Sequence, residues 1–141
     1  EMEDRSRFGD REGTIDVELK LSNEGAGHTF PTGDPDRFVT VTFALRNTAD
    51  GSLVKTQTHT LKRWILWRPL ILELRDNRLH RSEKRAYRFT EEVPEGAGSY
   101  ALEVEVVYHL MTEKALLKIG YPDELPVRHV LSRRDLRFRK R

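Results

Sequence analysis

The sequence predicts an all-β fold, an immunoglobulin-like β-sandwich of about seven strands with one short helix near residues 112–119. Three observations lead there. Apolar and polar residues alternate with period two over several separate runs, which is the pattern of strands with one wet face. Turn-forming residues such as Asn47-Thr48-Ala49-Asp50-Gly51 punctuate those runs. Only Thr112-Glu113-Lys114-Ala115-Leu116-Leu117-Lys118-Ile119-Gly120 combines an N-cap residue, helix formers and a terminal glycine. Several short strands with turns between them point to a sandwich, and a two-sheet jelly roll is the alternative.

In chain order, residues 1–12 are mostly charged and are expected to be a flexible lead-in or linker to a sandwich domain over residues 13–132. Ile15, Val17, Leu19 and Leu21 alternate with Asp16, Glu18, Lys20 and Ser22 as a first strand. After a Gly/Pro-rich loop, Val39, Val41, Phe43 and Leu45 face one way and Phe38, Thr40, Thr42 and Ala44 the other, as in a central strand. Residues 52–60 return as a polar, β-branched strand, with His59 expected on its solvent face. The apolar segment 61–74 contains Trp64, Trp67 and Pro69, and the proline forbids a central strand running through it. Beyond a turn at 75–78, strands are expected at 82–92 and 100–111, separated by a loop at 93–98. Tyr100, Leu102, Val104, Val106, Tyr108 and Leu110 give the longest clean alternation. Residues 121–132 read as irregular with a last strand near 127–131, and residues 133–141 as a basic C-terminal tail.

Composition narrows the function classes. The chain has 141 residues, enough for one domain with a real core. It has no cysteine, so it forms no disulfide, no thiolate metal site and no covalent haem attachment. Twenty-five basic and 23 acidic residues leave a net charge of +2, against a general nucleic-acid binder. No stretch approaches the length of a membrane span. The chain begins at Glu1, and we expect a processed product or a piece of something longer.

The one segment of unusual composition is Asn23 to Arg37, where three glycines and two prolines surround a single imidazole, His28. Glycine permits φ > 0 and proline holds φ near about −65°, so the loop should have a fixed path and hold His28 out. An imidazole on a stiff loop loses little entropy when it binds a metal, and it can equally brace its own loop. Asp34 and Asp36 share the loop, and beside Pro and Gly they read as turn residues rather than paired catalytic carboxylates. His59, His80, His109 and His129 form no i+2 or i+4 pairs with one another or with His28, so no local zinc or copper ligand set exists. Enzyme motifs such as G-x-S-x-G and the phosphate loop are absent, and the chain is expected not to be an enzyme. Trp64 and Trp67 beside arginines are either core lining or a docking surface.

Asn23-x-Gly25-Ala26-Gly27-His28-x-Phe30-Pro31-Thr32-Gly33-x-Pro35-x-Arg37 resembles the N-x-G-A-G-H-x-x-P-T-G segment of multihaem c-type cytochrome family proteins, in their haem-free β-sandwich domain. Asp76-x-Arg78-Leu79, Glu83, Tyr87-x-Phe89 and Tyr108 extend the likeness over residues 13–110. The chain departs from the family where Arg81-Ser82 replaces Pro-Gly before the glutamate. The resemblance implies a C-terminal, haem-free accessory domain, extracytoplasmic (periplasmic or extracellular), that orders a multihaem assembly. It also implies that His28 could serve as a distal axial ligand to a haem c of another domain or chain. Phe30, Pro31, Trp64 and Trp67 are then the expected partner contacts, with oligomer or filament formation in view. The alternative function is an extracellular carbohydrate- or protein-binding module.

Overall fold

Alternation sets the inner face of each strand, and those faces meet in the structure, a computed structural model that describes residues 2–8, 13–93, 98–120 and 126–140. Parts of the expected lead-in (residues 1 and 9–12), of the 93–98 loop (94–97) and of the irregular stretch (121–125), with residue 141, lie outside the described residues. The strands are β1 (Met2–Phe8), β2 (Thr14–Ser22), β3 (Phe38–Asn47), β4 (Leu53–Leu61), β5 (Arg63–Leu66), β6 (Leu72–Asp76), β7 (Lys84–Glu92), β8 (Gly98–His109) and β9 (Arg128–Lys140). One helix, α1 (Glu113–Ile119), precedes β9.

Seven of these strands build the sandwich. One sheet has the order β1-β2-β7 and the other β4-β3-β8-β9, all pairs antiparallel. Each sheet takes strands from both halves of the chain, the interleaving that defines an immunoglobulin-like sandwich and rules out simple meanders. Among the described residues, β5 and β6 pair only with each other, as a separate hairpin.

The core is the predicted set of alternate residues. Ile15, Val17 and Leu19 of β2 and Tyr87 and Phe89 of β7 meet Val39, Val41, Phe43 and Leu45 of β3 and Leu102, Val104 and Val106 of β8. Phe43 and Phe89 stack across the sandwich with ring centroids 5.6 Å apart. Burial of each such side chain contributes roughly 1.5–3 kcal/mol, so this layer dominates the folding free energy. α1 forms as its caps require. Thr112 accepts the Ala115 amide at 3.3 Å, and Gly120 closes the helix at φ 65°.

Three expectations change. The basic tail is not a tail: residues 133–140 belong to β9, which pairs with β8 from Gly98↔Lys140 to His109↔Arg128 around one irregularity. Leu136 and Phe138 pack on the core, while Arg133 bonds Glu103 and Glu105 on the outer face. Charge on an edge strand discourages pairing with other chains, and here it hides the alternation beneath it. Residues 2–8 likewise form a strand, β1, in place of a flexible lead-in. His59 does not face solvent, because β4 is in register with β3 at Val41↔His59, Phe43↔Gln57 and Leu45↔Lys55, which turns these polar residues inward. Lys55 donates to the Thr90 carbonyl at 3.0 Å and Gln57 to the Arg88 carbonyl at 3.0 Å, stitching β4 to the open edge of β7.

Phe138 is 7% exposed, so Phe138→Ala should cost about 3 kcal/mol in chemical denaturation. A change near zero would return residues 133–141 to a solvated tail.

Candidate functional site

The loop from Asn23 to Arg37 leaves the end of β2 and enters β3, and its first fixed point is Asn23. This side chain is buried, and its amide donates to the carbonyls of His28 at 2.8 Å and Leu79 at 3.2 Å. Its backbone is held as well, by bonds to Glu83 O and from Ser82 N. The second fixed point is Phe30, which exchanges two 2.8 Å backbone bonds with Leu79 as an isolated antiparallel bridge. Between these anchors, His28 is exposed.

The geometry assigns the His28 ring nitrogens. Nδ1 lies 3.2 Å from the Thr29 carbonyl, which can only accept, so Nδ1 carries the proton. In the neutral ring Nε2 then keeps its lone pair and, among the described residues, has no hydrogen-bond partner. A histidine whose second nitrogen donates to a backbone carbonyl is oriented as metal-bound histidines usually are.

The rest of the loop is turn chemistry. Asp34 Oδ1 accepts the Asp36 amide at 2.9 Å, and the Arg37 amide bonds Asp34 O at 3.0 Å, as expected of an Asx turn. Gly33 is the only loop glycine at positive φ (89°), and a Cβ there would meet the Arg37 guanidinium at 2.9 Å. Gly25 and Gly27 are not at positive φ, so within the loop only Gly33 uses the left-handed freedom of glycine. No group of three or more His, Asp or Glu residues among the described residues could hold a metal ion by itself.

Residues 76–85 form the platform behind the loop. Asp76 and Arg78 make a forked pair, with bonds of 2.6–3.1 Å, and Arg78 reaches the Pro31 carbonyl at 3.5 Å. Asn77 bridges the Lys62 amide and the Thr60 carbonyl. Glu83 accepts the His80 amide at 2.7 Å and pairs with Arg85, which in turn donates to Asn77 O at 2.5 Å. The bond from Arg78 holds the Asp76 carboxyl below the ordinary aspartate range. Burial pushes the Glu83 carboxyl up, but the His80 amide and Arg85 outweigh it and leave it below the ordinary range. Ser82 sits at φ 61°, a left-handed position with no glycine.

Of the residues expected at a partner contact, two turn inward. Pro31 is fully buried, after a cis peptide bond from Phe30. Phe30 packs on the core, 6.4 Å from the Tyr108 ring. Trp64 is half-buried with Arg75 5.2 Å from its ring centre, and Trp67 is exposed. Sequence reasoning missed a cleft of about 330 Å³ beside Phe30, lined by Leu21, Leu79, Val106, Leu131, Ser22 and Ser132. It opens between the sheets, and only the tertiary pairing brings these residues together. Twelve large hydrophobics are exposed among the described residues. All but Leu53 and Val54 lie on the β5–β6 hairpin, on α1 or at the start of β9, the end that carries His28.

The fold and site therefore define an all-β, immunoglobulin-like sandwich with an apolar end that carries the exposed His28, with His80 and His129 also exposed at that end. No protein-family model matches the chain, and no curated protein matches it. Among solved structures, the chain is similar to a penta-haem cytochrome c552 from Thermochromatium tepidum, at 14% identity and a TM-score of 0.75. That likeness covers 97% of this chain and 39% of the cytochrome, so the chain spans well under half of the protein it resembles. At this identity the likeness is one of fold.

Two outcomes follow from the platform. Replacing Ser82 by glycine should relieve left-handed strain and stabilise the fold by about 0.5–1 kcal/mol, raising Tm by about 2–3 °C. Asp76 and Glu83 titrate lower when folded, so the stability they add is full above their unfolded values and is lost as pH falls through the folded ones. Denaturation midpoints should drop below about pH 4, and Asp76→Asn should flatten that drop while lowering stability at neutral pH.

Proposed function

We propose that this chain is a non-catalytic β-sandwich module of an extracytoplasmic electron-transfer system, associated with a multihaem c-type cytochrome. In this role His28 supplies a distal axial ligand to a haem carried by a neighbouring domain or chain. The observation that carries the reading is the orientation of His28, whose Nδ1 is bonded to the Thr29 carbonyl while Nε2 is left with its lone pair. The fold shared with part of a penta-haem cytochrome supports the choice of haem over another metal. The chain has no cysteine, so any such haem is attached elsewhere.

Within this reading the residues packed around the loop have one job. Asn23, Phe30, Leu79, Glu83 and Tyr108 hold the loop, and the exposed ring is what they hold. The iron would be met by Nε2, and the bonded Nδ1–H would keep the ring in the correct tautomer and raise its basicity. The alternative, an extracellular carbohydrate- or protein-binding module built on Trp64 and Trp67, has less support, since Arg75 lies over the Trp64 ring.

A ferric c-type haem peptide with one histidine ligand and an open axial position tests the reading. Adding the chain should convert its Soret band from high-spin to low-spin. His28→Ala should abolish the conversion, and His80→Ala should leave it. Indistinguishable spectra for wild type and His28→Ala would remove the ligand role.

A further inference from the structure

The residues from Leu66 to Leu72 connect two antiparallel strands, yet their composition is the reverse of a water-facing turn. Turns in water are dominated by Gly, Pro, Asn, Asp and Ser, as in Asn47–Gly51 of this chain, and of these the run has only Pro69. Here the run is Leu-Trp-Arg-Pro-Leu-Ile-Leu, with Arg68 its only polar side chain. Every large hydrophobic in it is exposed: Leu66 43%, Trp67 55%, Leu70 75%, Ile71 73% and Leu72 55%, with Leu74 at 61% on the strand behind. The base of the ribbon is partly covered at Arg63, Trp64 and Ile65, but from Leu66 to Leu72 its side chains stand in water, where an isolated two-stranded ribbon is marginal.

We propose that the β5–β6 hairpin is an interfacial membrane anchor that inserts its tip into the headgroup region of an anionic bilayer. A protein partner covers one face of a ribbon and leaves the other wet, which would call for a polar face. The tip has none: the exposed apolar residues run from the cross-strand pair Leu66↔Leu72 right round the connection. Arginines supply the matching charge. Arg68 is exposed in the tip with no partner among the described residues, and Arg75 is exposed on β6 beside Trp64. Arginine on such a loop keeps its head at the phosphates while its stem lies along apolar surface, and tryptophan prefers that same depth. The unpaired backbone groups of the connection limit insertion to the interface, about 5–10 Å deep.

Both tryptophans of the chain lie in this hairpin, so intrinsic fluorescence reports it directly. With vesicles of phosphatidylcholine containing one quarter phosphatidylglycerol, the chain should co-sediment and its emission should shift to the blue. Binding should be about tenfold weaker to pure phosphatidylcholine, reflecting the two exposed arginines. Leu70→Ser with Ile71→Ser should lose binding at least tenfold with unchanged circular dichroism and Tm, as both side chains are already in water. Trp64→Phe should keep the blue shift and Trp67→Phe should lose most of it. No co-sedimentation with either vesicle would overturn the proposal. So would vesicle binding that survives the Leu70/Ile71 double change, or Leu70/Ile71 burial seen only when a haem protein is added. None of these readouts involves His28, so they stand or fall separately from the ligand role.

Discussion

The antiparallel contact between Phe30 and Leu79, with the Asn23 side chain beside it, is the constraint on which the functional end depends. It is a single bridge outside any named strand, yet it joins the loop before β3 to the segment before β7, and so ties the two sheets together. Asn23 adds a donor that reaches both sides of that joint, the His28 carbonyl and the Leu79 carbonyl. A buried carboxamide that lost these bonds would leave polar atoms without water, a penalty of about 1–3 kcal/mol. The loop path is therefore fixed by desolvation as much as by its glycines and prolines.

Much of the fold was written in the sequence because the signal was strict. Ile15 to Leu21, Val39 to Leu45 and Tyr100 to Tyr108 alternate, and each proved to have the inner face its period assigns, with Val107 buried as well on the other face. β9 escaped because arginines at 133, 134, 137 and 139 dominate a run whose inward residues are only Leu136 and Phe138. Residues 52–60 were read correctly as a strand, but with His59 on the wrong face. Alternation gives a strand two faces and does not say which one is inside when neither is apolar.

The site was readable in outline only. His28 stood out through its surroundings, and its exposure agrees with the expectation that the loop holds it out. Its tautomer could not be read, since that depends on the distance to one carbonyl. Phe30 and Pro31 were expected to face a partner, but a Gly/Pro-rich composition fixes the shape of a loop without fixing which way each side chain turns. Asn23, Asp76, Arg78 and Glu83 entered the sequence reading only as matching positions in the resemblance, and the hydrogen bonds show what they do.

The polar lining of β4 has a consequence for how the molecule behaves in a crowded solution. β7 is the last strand of its sheet, and such a strand normally offers a ladder of free carbonyls to any extended chain that drifts past. In this protein the carbonyls of Arg88 and Thr90 are already engaged by Gln57 and Lys55 from the opposite sheet. A stray segment seeking to add there would first have to unfasten an amide and an ammonium group. The sandwich thus guards that flank against fibre-like growth with two side chains and no additional strand.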